Sequence, residues 1–355
     1  MHRSLVSFAA GVLTLAVSGC SQEAPSWQPP QNPASSAALH VTSGAAKSDV
    51  LYVPDIYGET VNSYTGSPRK LKNSINLGAS GLAVDAAGHV YISIYRDNRV
   101  DIYTHQTKKL IRSIDRDIKE PSQVTVAPDG TLFVADRRGI SIFPNAKQLR
   151  MKRINHIWPF SMVTDAQSNL YVVDGGLNSI FEYAAGTNTV SRTITQGLVS
   201  PVAAAFDSNG NMYVSNGLAP GQCGNDANGG SVTVYAPNGS IPAYTITTAQ
   251  GLCYPGALSF DASGNLYVAN WDDGKETGGT VTEYSAGTSS LIQTYADGIG
   301  HPNSVAIDAA GKLYVANSME SGYGDVTVYN TANAKLVQTI SESSRIAPES
   351  VVIGK

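Results

Sequence analysis

Six oxygen-bearing side chains recur at one fixed position in this chain. Asp55, Asp136, Asp174, Asn216, Asn270 and Asn317 each stand four residues after the start of an aliphatic–aromatic–aliphatic triplet, and Ile94 breaks the series. Carboxylate and amide oxygens repeated at one level are donors that a hard cation such as Ca2+ or Mg2+ takes. Asp174, Asn270 and Asn317, with Glu349 as an extra carboxylate, form the candidate metal set. The simpler role for such residues is to cap the loop that follows them, because Asx side chains bond nearby backbone N–H groups. Nothing in the pattern requires a metal or any other cofactor.

A second group pairs aromatic rings with carboxylates: Trp271, Asp272, Asp273, Glu320 and Tyr323, with Tyr254 and His301 close by in sequence. Such a mixture suits a carbohydrate, a cationic ligand or a divalent ion; the alternative is a set of solvated loop insertions. No phosphate-binding glycine loop, nucleophile elbow or histidine-rich zinc motif is present, and no catalytic residue is assigned. Of the three cysteines, Cys223 and Cys253 form a candidate disulfide in an oxidising compartment, with two free thiols as the alternative.

These residues acquire positions only through the repeat that carries them. The triplets are Leu51-Tyr52-Val53, Val90-Tyr91-Ile92, Leu132-Phe133-Val134, Leu170-Tyr171-Val172, Met212-Tyr213-Val214, Leu266-Tyr267-Val268 and Leu313-Tyr314-Val315. A period of about 40 residues marks a repeat architecture. Residues 302–340 show the unit. Strand a, Asn303–Ile307, meets a tight turn at Asp308-Ala309-Ala310-Gly311; strand b, Leu313–Ala316, precedes a loop; strand c, Val326–Tyr329, and strand d, Leu336–Ile340, form the outer hairpin. Both sides of strand b are apolar, so both faces of each four-stranded sheet must be covered, as in radially stacked blades. The first repeat lacks a strand a. The last residues supply one, since Pro348-Glu349-Ser350-Val351-Val352-Ile353 parallels Pro302-Asn303-Ser304-Val305-Ala306-Ile307. The expected fold is all-β: a seven-bladed β-propeller closed by pairing of the C-terminal strand with blade 1, which leaves no exposed sheet edge in the ring.

In this arrangement the b–c and d–a loops share one face, the top. From triplet to strand c aromatic the spacing is 13 residues in blades 1, 2 and 4, 11 in blade 3, and 23, 18 and 16 in blades 5, 6 and 7. The long loops, and with them the aromatic–carboxylate group, therefore gather on the top of blades 5–7. Cys223 and Cys253 fall on that face too.

Charge is uneven. Residues 48–155 hold 16 Lys and Arg against 11 Asp and Glu, whereas residues 156–355 hold 6 against 16. Many early cations (Arg69, Lys70, Lys72, Lys108, Lys109, Arg112, Lys147, Arg150, Lys152 and Arg153) fall in c–d turns or strand d, hence on the underside of blades 1–3. Contact with an anionic surface and ordinary solvation are both open to them. The net charge of −4 disfavours nucleic acid as a partner.

Three resemblances refine this picture. Leu15-Ala16-Val17-Ser18-Gly19-Cys20, at the end of the apolar run Leu5–Val17, resembles a bacterial lipobox. It implies a signal peptide over 1–20, lipidation at Cys20, and a membrane partner through the lipid anchor. Ser21 after the cysteine implies the outer membrane of the cell envelope. Residues 21–47, with Pro25, Pro29, Pro30 and Pro33, read as a flexible tether, and 48–355 as the propeller. Tyr95-Arg96-Asp97-Asn98-Arg99-Val100-Asp101-Ile102-Tyr103 is similar to the strand b–c segment of NHL repeats. More broadly, 48–355 resembles the superfamily that holds NHL proteins, gluconolactonase-like enzymes and virginiamycin B lyases. The lyases carry His after the proline of a strand a and Glu at the end of strand b; here blade 7 has Asn303 and Asn317, which argues against that chemistry. The gluconolactonase likeness implies a divalent-metal-dependent lactonase with its site at the tunnel mouth. The main expectation is an envelope-anchored binding or scaffold module for a protein, glycan or small molecule.

Overall fold

The computed structural model describes residues 49–55, 58–146, 152–217, 230–272, 278–318, 324–341 and 348–354. Their strands form seven four-stranded antiparallel sheets. Seven apolar clusters lie between neighbouring sheets and close the set into a ring. Alternation along strand b divides each blade between two interfaces: Leu51 and Val53 pack toward blade 7, while Val50 and Tyr52 pack toward blade 2. A strand with both faces covered needs apolar bulk in both registers, which is why each triplet carries only aliphatic and aromatic residues.

Closure follows the expected pairing. Val50, Leu51 and Tyr52 lie opposite Gly354, Ile353 and Val352 in antiparallel register. The C-terminal strand is shorter than the sequence match, Val352–Gly354, with an isolated bridge between Asp55 and Pro348 completing the contact.

The a–b turns are fixed by their aspartates. Asp308 Oδ1 accepts from the N–H groups of Ala310 and Lys312 at 3.0 and 2.9 Å. Asp85, Asp165, Asp207 and Asp261 make the same pair of bonds in their blades. Gly311, at φ +72°, takes the left-handed position that reverses the chain.

Arg69, placed by its sequence with the underside cations, is instead buried and locks blade 1 to blade 7. Its Nη2 lies 3.0 Å from Asp308 Oδ2, its Nε donates to the Tyr314 hydroxyl at 2.7 Å, and its Nη1 donates to the Asp49 carbonyl. The guanidinium carbon sits 5.0 Å from the Tyr314 ring centroid. Gln338 of blade 7 bonds both the N–H and the carbonyl of Arg69 at 2.8 Å. Arg153 is withdrawn from solvent as well, paired with Asp136 at 2.7 Å. Sequence position alone did not separate these two arginines from the lysines beside them.

A candidate ligand-binding face

In blades 5 and 6 the preceding d–a loop lies across the blade, held there by a recurring trio. In blade 5, Asn216 Oδ1 accepts from Val199 N at 3.1 Å, Thr233 Oγ1 donates to Gly197 O at 2.8 Å, and the Tyr235 hydroxyl donates to Gln196 O. The Asn216 amide bonds Thr233 in turn. In blade 6, Asn270 Oδ1 accepts from Cys253 N at 3.1 Å, its amide donates to Thr280 and Thr282, and Tyr284 donates to Gln250 O. Asp136 takes the same position in blade 3, accepting from Lys119 N. Asp55 and Asp174 cap their own b–c loops, through Gly58 N and Leu177 N. The strand-end series thus divides between two structural roles. Asn270 is engaged at both ends of its side chain.

Asn317 departs from its neighbours. Its amide donates to Asp325 at 2.9 Å and to Thr327 at 3.1 Å, but its buried Oδ1 has no hydrogen-bond partner among the described residues. Asp325 is buried beside it, and desolvation pushes its carboxyl above the usual carboxylate range although the Asn317 amide works against the shift. Glu349 lies one residue past the Pro348 bridge on the blade 1 side, and the Pro348 carbonyl accepts from the Asn303 amide at 3.4 Å. Among the described residues no three His, Cys, Asp or Glu side chains converge as metal ligands would.

The aromatic group is partly assembled. The N–H of Trp271, first residue past strand b of blade 6, donates to the Tyr254 carbonyl at 3.0 Å, which ties the b–c loop to the d–a loop. Its indole stacks on the His301 ring of blade 7, with centroids 4.8 Å apart and planes 18° from parallel. His301 Nδ1 lies 3.0 Å from the Trp271 carbonyl. A carbonyl can only accept, so this bond places a proton on Nδ1 and leaves Nε2 as the acceptor of a neutral ring. Strand pairing of His301 with Ser318, and the Ser318 hydroxyl on the His301 carbonyl, hold the imidazole in place. Asp272 follows on the same loop, half-buried like Trp271 and His301. Asp273, Glu320, Tyr323, Cys223 and Cys20 lie outside the described residues. Cys253 is buried.

Two features went unnoticed in the sequence. On the top of blades 4 and 5, Trp158, Leu177 and Val199 are 67%, 66% and 46% exposed. The neighbouring Asn178 and Ser200 are hydrogen-bonded, which brings two of these loops together. On the underside, a cavity of about 460 Å3 opens between blades 4 and 5, bordered by Asp165, Tyr171, Arg192, Phe206 and Asn238. Neither breaks the repeat pattern, so residue spacing gave no signal for them.

No protein-family model matches the chain, and no curated protein matches it in sequence. Solved structures do resemble it. A protein described as functionally unknown from Desulfotomaculum acetoxidans DSM 771 aligns with a TM-score of 0.68 at 13% identity, over 86% of this chain and 98% of the other. Kuenenia stuttgartiensis hydrazine synthase aligns with a TM-score of 0.61 at 15% identity, over 77% of this chain and 88% of that one. At such identities the likeness concerns the fold alone.

Proposed function

We propose that the protein is a binding module: an NHL-like propeller anchored in a bacterial envelope, through a lipid on Cys20, that takes a ligand on the top of blades 5–7. The Trp271–His301 stack carries this reading. An aromatic platform on rigid strand ends, with an imidazole acceptor and Asp272 beside it, can hold a sugar ring or a cationic group against its face. Trp158, Leu177 and Val199 extend the same face with apolar surface suited to a protein partner. A Cys223–Cys253 disulfide would tie the blade 5 loop to the base of the platform.

A glycan and metabolite binding screen tests this reading. Trp271→Ala is expected to weaken binding of the ligand found at least about tenfold with the melting temperature unchanged, since one aromatic contact supplies 1.4 kcal/mol or more at such sites. Loss of stability without a specific loss of binding would refute the site. Mass spectrometry of the purified protein reads both the acyl group on Cys20 and the disulfide.

One observation favours a second reading, a divalent-metal-dependent lactonase. The unpartnered Asn317 Oδ1, with Asp325 beside it and Glu349 on the adjoining blade, offers oxygens of the kind a hard cation takes. Added Ca2+ or Mg2+ should then raise the melting temperature, Glu349→Gln should abolish the rise, and lactones should be turned over. Absence of both effects discards the enzyme.

A further inference from the structure

Strand d is the outermost strand of every blade, and in four blades an aliphatic residue near its start is exposed. Leu71, Leu110, Val190 and Leu291 occupy this place in blades 1, 2, 4 and 6, and are 50%, 43%, 42% and 45% exposed. In blades 4 and 6 their neighbours are neutral: Thr189 and Ser191, or Ser290 and Ile292. In blades 1 and 2 the same place is flanked by Lys70 and Lys72, and preceded by Lys108 and Lys109. The fold is the same in all four blades, so folding does not require these cations.

Lys70, Lys72, Lys108 and Lys109 are exposed, and none joins an ion pair among the described residues. They stand at the c–d ends of their blades, on the underside. The chain also enters the propeller there, since Asp49, just before strand b of blade 1, is held from below by Arg69 and by Ala309 N. The segment that precedes residue 49 therefore meets the fold next to the cationic edge. Leu71, Leu110 and Ile111, the last 47% exposed, add apolar side chains between the cations.

We propose that the underside edge of blades 1 and 2 docks on an anionic phospholipid bilayer. The lysines meet lipid phosphates, and the three aliphatic residues enter the boundary between headgroups and acyl chains. The acidic remainder of the chain is repelled by the same surface, which tilts the ring onto this edge and turns the top loops away from the membrane. This docking needs neither an acyl chain on Cys20 nor a ligand on the top face.

The test uses the full chain carrying Cys20→Ala, so that no lipid can be attached there. It measures co-sedimentation with vesicles of phosphatidylcholine alone and of phosphatidylcholine with phosphatidylglycerol. Preference for the phosphatidylglycerol vesicles is expected, weakening as salt rises above about 0.1 M. Lys72→Glu with Lys109→Glu should reduce that binding about tenfold or more. Arg96→Glu with Arg138→Glu, an equal change of charge on the top face, should leave it within about twofold. Circular dichroism checks that each variant is folded, and Lys72→Gln with Lys109→Gln replaces the charge reversal if it is not. No preference for anionic vesicles, or equal loss from the two charge-reversal pairs, overturns the proposal. Failure of acylation or of top-face binding is read in separate experiments and leaves this one unaffected.

Discussion

Arg69 joins the first blade to the last with its whole guanidinium. Removing the side chain leaves Asp308 buried beside Tyr314 without its counter-charge, a change that costs about 3–5 kcal/mol at such sites. Arg69→Ala is therefore expected to lower the urea midpoint strongly. Arg69→Lys should recover only part of the loss, because an ammonium cannot serve Asp308, Tyr314 and Asp49 at once. The strand-end asparagines allow a finer comparison. Asn270→Ala orphans the Cys253 N–H and two threonine hydroxyls and should cost about 1–3 kcal/mol. Asn317→Ala removes the amide donor of the buried Asp325 carboxyl and of Thr327 and should cost a similar amount, although no backbone N–H is orphaned; a urea midpoint equal to that of the parent would contradict it. Sequence reading could place both asparagines on one ring but could not tell a loop clamp from a cation ligand, because the amide is the same in either role. The deciding partners, Thr233, Thr282 and Thr327, are themselves visible as a Thr-x-Tyr phrase in strand c. Arg69 had no such sign, since one exposed lysine and one buried arginine look alike in a basic turn.

At the scale of the element, the tyrosines that close strand c show how a blade holds its loop. Burial raises the hydroxyl pKa of Tyr284 and Tyr329 to about 12, and that of Tyr52 in strand b to about 12 as well. A raised folded-state pKa means that the unfolded chain ionises first, from its ordinary value near 10. The stability these groups contribute is complete below pH 10 and is lost as the pH climbs toward 12. A melting temperature that declines steadily over that interval, with the buried rings adding their tyrosinate absorbance only on unfolding, is the expected result. The turn aspartates and strand b triplets were legible because each satisfies a local demand: two turn N–H groups, or two apolar neighbours. The Trp271–His301 stack was legible only as a neighbourhood. Its geometry depends on a carbonyl–imidazole bond between two blades, and no spacing within one repeat encodes a contact across the gap.

For the whole molecule, the count of seven and the manner of closure could be read before any coordinates, because one strand was missing at the start and one was left over at the end. The structure shortens that last strand without moving it. Deleting residues 348–355 should uncover Leu51 and Tyr52 along the innermost edge of blade 1, lower the melting temperature by on the order of 10 °C or more, and promote aggregation through the open edge. Static light scattering during a thermal ramp measures both effects. The two faces of the disc remain distinct in character, with rings and apolar side chains above and lysines below, and a ligand-binding variant such as Trp271→Ala should leave vesicle binding untouched.

Because Val352, Ile353 and Gly354 form the innermost strand of the first blade, the opening repeat is completed only after the six that follow it. A ribosome that has made six complete repeats still holds an unsealed circle, whose first sheet shows a bare inner flank.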